Sequence, residues 1–111
     1  MNYNKFLALY QLHQERPDTL TPVIAEGLLV QATAILANIA TVLTAREHEY
    51  NVKKLELLTS SKSVAEGKLR SEATEEHRTY KEAERAHATL LEILRTCKRI
   101  YKRGEEEYKH N

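Results

Sequence analysis

Residues Tyr80–Gly104 read YKEAERAHATLLEILRTCKRIYKRG, and this stretch decides the fold. Tyr80, His87, Leu94 and Tyr101 recur every seven residues, Tyr108 continues the series, and Ala83, Leu90, Cys97 and Gly104 interleave with it. Residues spaced alternately by three and four fall on one stripe of an α-helix, because 3.6 residues complete a turn. Ile93 and Ile100 widen the stripe toward its C-terminal end. Such a stripe has to be buried against another apolar surface, and the one long apolar stretch in the chain lies upstream.

That stretch is Thr21–Thr44, TPVIAEGLLVQATAILANIATVLT, with Glu26 its one charged side chain. It is long enough to cross a bilayer, which takes ~20 apolar residues. Glu26, Gln31 and Asn38 are spread along it, however, the chain has no Trp, and no Lys or Arg cluster flanks it closely. A helix apolar on most sides is otherwise one buried on most sides, in a bundle or an oligomer. The segment is read in that way.

The remaining boundaries follow from local signals. A short amphipathic helix over residues 4–15 carries Phe6, Leu7, Leu9, Tyr10 and His13 on one side, and Arg16-Pro17 ends it because Pro disfavours helical geometry in the preceding residue. Thr21 is the expected N-cap of a second helix over 22–58, with Pro22 at its first position. Thr59–Lys62 is a turn, and Ser63-Val64-Ala65-Glu66 matches a capping box opening a third helix over 63–103. Gly67 weakens its first turns by about 1 kcal/mol, and a frayed 60–71 with firm helix from Glu72 is the variant. The sequence therefore predicts one all-α domain: a long antiparallel helical hairpin with a short N-terminal helix. Folding back at 59–62 sets Leu94 near Leu29, His87 near Leu36 and Tyr80 near Leu43. The arms 45–58 and 64–79, mostly charged, are expected to project as a solvated prong. The second helix is apolar over more of its circumference than these partners cover, so a homo-oligomer is expected.

Seventeen Lys and Arg nearly cancel sixteen Asp and Glu, so only local clustering informs on partners. Cys97 is the sole cysteine and no basic-then-apolar leader opens the chain, which fits a cytoplasmic protein. No phosphate loop, nucleophile motif or metal-ligand pair at helical spacing is present, and neither a catalytic role nor a cofactor is expected. His48 and His77 approach each other across the hairpin, beside Glu47 and Glu76, but no metal site is assigned to them. His87 and Cys97 lie on the seam as packed residues. Tyr80, Tyr101 and Tyr108 resemble a base-stacking platform, with core packing the first reading.

The most informative stretch is 95–103, which carries Arg95, Lys98, Arg99, Lys102 and Arg103 and no acid. At 100° per residue the five fall within an arc of about 140°, opposite the seam. The helix macrodipole favours one or two cations at a C-terminal end. Five on one face, repeated around an oligomer, suit the phosphates of a nucleic acid. Glu105, Glu106 and Glu107 follow and blunt the field. A second basic group is expected at the hairpin tip: Lys53, Lys54, Lys62, Lys68 and Arg70, against Glu56 and Glu66.

From Lys62 onward, Lys62-Ser63-Val64-Ala65-Glu66, the run Glu75-Glu76-His77-Arg78 to Tyr80, Ala83-Glu84, Leu90-Leu91 and the basic close over 94–103 resemble the small helical proteins of phage recombination and replication modules. More distantly the chain is similar to UvsY-type recombination mediators, through the Leu-Leu pair and Lys102-Arg103-Gly104. The resemblance covers about forty residues. It implies an oligomeric helical ring that binds single-stranded DNA and helps exchange a single-strand-binding protein for a recombinase or annealing protein. The other readings are a protein-only adaptor or inhibitor, including an anti-defence factor, that docks through the hairpin, and a small membrane protein anchored by residues 23–43.

Overall fold

The computed structural model describes residues 2–110, with side chains through Tyr108. Its elements are α1 (Tyr3–Glu15), a 3₁₀ turn (Pro17–Thr19), α2 (Pro22–Ser60), α3 (Val64–Glu72) and α4 (Glu75–His110). Among the described residues there is no strand, and α2 with the returning α3 and α4 makes a hairpin-like arrangement. The chain divides into two compact units, one of residues up to Asn38 with those from Ala88 onward, the other Ile39–His87.

In the first unit the local signals act as the sequence implies. The Asn2 side chain accepts the Lys5 N–H at 2.9 Å and caps α1. The Thr19 hydroxyl donates to the Arg16 carbonyl at 2.7 Å and lies 2.8 Å from His13 Nδ1, tying the end of α1 to the 3₁₀ turn. Thr21, the residue before the Pro22 start of α2, accepts the Ile24 N–H on its Oγ1 at 3.3 Å. Phe6 and Tyr10 of α1, Ala25, Leu28, Ala32 and Ile35 of α2, and Leu90, Ile93, Leu94 and Cys97 of α4 are buried. On α2 these sit at spacings of three and four, so a single side of the helix is used. Ala25 and Ala32 are fully buried there, small enough for neighbouring elements to approach closely. A Cβ on Gly104 would stand 2.5 Å from Pro22 Cβ, so α4 meets the start of α2 at a place only a glycine fills without displacement.

The second unit departs from expectation in three ways. First, the third helix is two. α3 stops at Glu72, and α4 starts afresh at Glu75 and runs past Arg103 to His110. The Ser71 hydroxyl donates to the Lys68 carbonyl and the Thr74 hydroxyl to the Ser71 carbonyl, both at 2.7 Å. Thr74 Oγ1 then accepts the His77 N–H at 3.1 Å, with Glu75 and Glu76 in the first turn. Hydroxyls that satisfy nearby backbone groups compete with a continuous helix, and a Thr followed by acids is a helix start.

Second, the prong over 45–58 and 64–79 is mostly exposed, as expected, but it is packed along one side: Tyr50, Gly67 and Ser71 are buried, and Ser63 caps α3 through the Glu66 N–H at 3.1 Å. A Cβ on Gly67 would stand 2.9 Å from Leu58 Cα, so the glycine that weakens the helix is what lets α3 lie on the end of α2. Third, Tyr80 stacks on Tyr50 at 5.5 Å between ring centroids, two turns further along α2 than Leu43. The register of α4 against α2 is thus displaced by seven residues from the expected one.

Gly67→Ala should therefore lower the Tm despite the better helix propensity of alanine, since overpacking against backbone costs ~1–3 kcal/mol and the propensity gain is about 1. Thr74→Ala should cost about 1 kcal/mol through the lost cap. Thermal melts by circular dichroism check both; a Gly67→Ala protein more stable than wild type would show that α3 does not rest on Leu58.

Candidate nucleic-acid interface

The cationic stretch belongs to the first unit. Seam residues Leu94 and Cys97 are buried and Ile100 and Tyr101 half-buried, which fixes the rotation of α4 about its axis. Arg95, Lys98, Arg99, Lys102 and Arg103 are consequently all exposed. The structure thus brings the five expected residues together on one solvent face. Arg95 pairs with Glu92 one turn earlier. Among the described residues no ion pair engages Lys98, Arg99, Lys102 or Arg103.

The three acids that follow do not act alike. Glu105 lines a cleft with Tyr101 and Glu26, and its interaction with the Tyr101 hydroxyl, with the charge of Glu26, pushes the phenol above its ordinary value. Glu105 is thereby turned toward the seam side. Glu107 lines a cleft with Pro17, Leu20, Pro22, Ile100, Arg103 and Gly104. By helical angle only Glu106 falls inside the basic arc. The field of the face is blunted by Glu92 and Glu106, and three cations remain in excess.

The secondary tip is less available. Arg70 donates to Ser61 Oγ at 2.9 Å and so closes the turn, Lys53 pairs with Glu56 at 3.8 Å, and Lys54 lies 6.0 Å over the Tyr50 ring. Lys62 and Lys68 are exposed. The tyrosines form no platform: Tyr80 has one face on Tyr50, Tyr101 is half-buried and Tyr108 is exposed. His77 packs on Tyr50 at 5.1 Å between centroids rather than serving as a partner for His48. Among the described residues no group of three or more His, Cys, Asp or Glu is placed to hold a metal ion. His87 is half-buried.

Tyr50 packs against His77 and Tyr80 in the second unit, and nothing in the sequence marks it. It lies on α2 beyond the apolar run, among charges, with no periodic signal around it. Thr74 was legible, as a Thr before two glutamates. No protein-family model, curated protein or solved structure matches the chain.

Cys97 lies fully buried on the seam directly behind the basic face, and burial pushes its thiol up, away from the reactive thiolate. A disulfide reagent such as DTNB should leave Cys97 unmodified in the native protein at pH 8 and titrate it completely in denaturant. Immediate labelling of the native chain would show that the seam is open.

Proposed function

We propose that this chain is a non-catalytic, cytoplasmic accessory protein of the phage recombination or replication type, binding single-stranded DNA through the solvent face of α4 as a homo-oligomer. The observation that carries the reading is the common exposure of Arg95, Lys98, Arg99, Lys102 and Arg103 on one side of a helix whose opposite side is anchored in the core. Such a face makes charge contacts to phosphates without reading base edges. A recombinase, an annealing protein or a single-strand-binding protein would be its protein partner under the same reading.

A second reading keeps the architecture and changes the ligand. Val52, Leu55, Val64 and Leu69, all in the second unit, are large apolar residues left mostly exposed. They favour an adaptor or inhibitor that docks on another protein through the hairpin.

Fluorescence anisotropy with a long single-stranded oligonucleotide separates the two. Affinity should be nearly independent of sequence and fall steeply with salt, each phosphate contact adding about −0.7 to the log–log slope. Reversing Arg95, Arg99 and Arg103 to Glu should abolish binding with helix content intact, whereas changing Lys62, Lys68 and Arg70 should matter less. Glu106→Gln should tighten binding. Absence of binding by the wild-type protein at low salt would remove the DNA reading and leave the adaptor.

A further inference from the structure

The start of α2 and the end of α4 border a cleft of about 300 Å³, at the small end of the ~300–1,000 Å³ that ligand sites occupy. Pro22, Val23 and Glu26 line it from α2, and Tyr101, Glu105 and Tyr108 from α4, with Gly104 among them. On α4 this is the seam side, away from the basic face. The lining therefore holds two carboxylates, two phenol rings and apolar surface, with no Lys, Arg or His.

Neither carboxylate is neutralised by the chain. Glu49, Glu56, Glu75, Glu82, Glu84 and Glu92 each pair with a Lys or Arg three or four residues away. Among the described residues no ion pair engages Glu26 or Glu105. Glu26 has no cation within reach on its own helix, since positions 22, 23, 29 and 30 are Pro, Val, Leu and Val. It is also the one charge in Thr21–Thr44, and it is felt at the Tyr101 hydroxyl across the cleft. Unpaired negative charge beside an apolar wall attracts a cation.

The rings decide which kind of cation. Tyr101 and Tyr108 stand seven residues apart on α4, two turns or roughly 10 Å along the axis. Glu105 lies between them, and Gly104 has no side chain to fill the gap. A cation is attracted to a ring face within ~6 Å of its centroid, so one group seated midway is in reach of both rings. Tyr101 is half-buried and held in place, and Tyr108, 85% exposed, is open to a ligand. A hard metal ion takes about six or more oxygens, more than this lining offers. A methylated ammonium spreads its charge over methyl groups that suit both the rings and the Pro22–Val23 wall.

We propose that this cleft binds a small quaternary ammonium compound of the choline class, its methylated head between Tyr101 and Tyr108 and its charge balanced by Glu26 and Glu105. The ligand is the free compound rather than a phosphate ester or a lipid headgroup, because both carboxylates repel a phosphate held beside the ammonium. The cleft is opposite in charge to the basic face of α4, so this site is independent of DNA binding and either can fail alone.

A titration of the full chain with choline at low ionic strength, followed by broadening of the choline methyl resonance, tests it. Binding should saturate with a dissociation constant of about a millimolar or below. Dimethylbutanol, the uncharged isostere in which carbon replaces nitrogen, should bind at least about tenfold more weakly, and so should phosphocholine. Glu26→Gln and Tyr108→Leu alter exposed residues, and each should weaken binding about threefold to tenfold with helix content by circular dichroism unchanged. The two together should remove it, whereas Glu72→Gln, in the other unit, should leave it unchanged. No saturable binding at tens of millimolar, an isostere or phosphocholine as tight as choline, or a double variant that still binds would overturn the proposal.

Discussion

Leu90, Ile93, Leu94 and Cys97, packed in one unit with Ala25, Leu28, Ala32 and Ile35 of α2 and with Phe6 and Tyr10 of α1, are the burial on which the other features rest. Each large apolar side chain fully removed from water contributes roughly 1.5–3 kcal/mol. The same burial sets the rotation of α4, and rotation is what puts five cations on one side and leaves Val23 and Val30 on the outer face of α2. A quarter-turn of α4 would bury part of the charge, at a cost far above what surface pairing returns. The binding face is therefore a consequence of the core rather than a separate construction.

The second unit is held by different means. It has few aliphatic residues inside, and relies on the Tyr50 ring, stacked on Tyr80 and tilted against His77, together with a backbone approach at Gly67. Lys54 and Lys81 lie over the Tyr50 and Tyr80 rings, so charges that look solvated in the sequence cover aromatic faces. Ion pairs such as Arg46–Glu49 and Arg78 with Glu75 and Glu82 are exposed and add little to stability. The break at Ala73-Thr74 belongs to this arrangement, because a straight helix could not serve both the contact at Leu58 and the stack on Tyr50.

Two glycines that look equivalent in the sequence as helix-weakening residues have opposite surroundings. Gly67 is filled from within the chain by Leu58, and Gly27 faces open space on an exposed apolar face. Propensity treats both as defects. Packing makes the first a close contact and turns the second into a question about assembly.

The all-helical class, the Pro17 break, the caps at Thr21 and Ser63, and the clustering of Arg95, Lys98, Arg99, Lys102 and Arg103 opposite Leu94 and Cys97 were all determined by the sequence, because helical periodicity and capping act over three or four residues. The stacking of Tyr50 with Tyr80 and His77 and the approach of Gly104 to Pro22 were decided only by the tertiary structure. Those depend on which residues far apart in the chain come to lie side by side, and Tyr80 lies on Tyr50 rather than on the expected Leu43. Local rules place a side chain on a face; only the register between helices decides what that face meets.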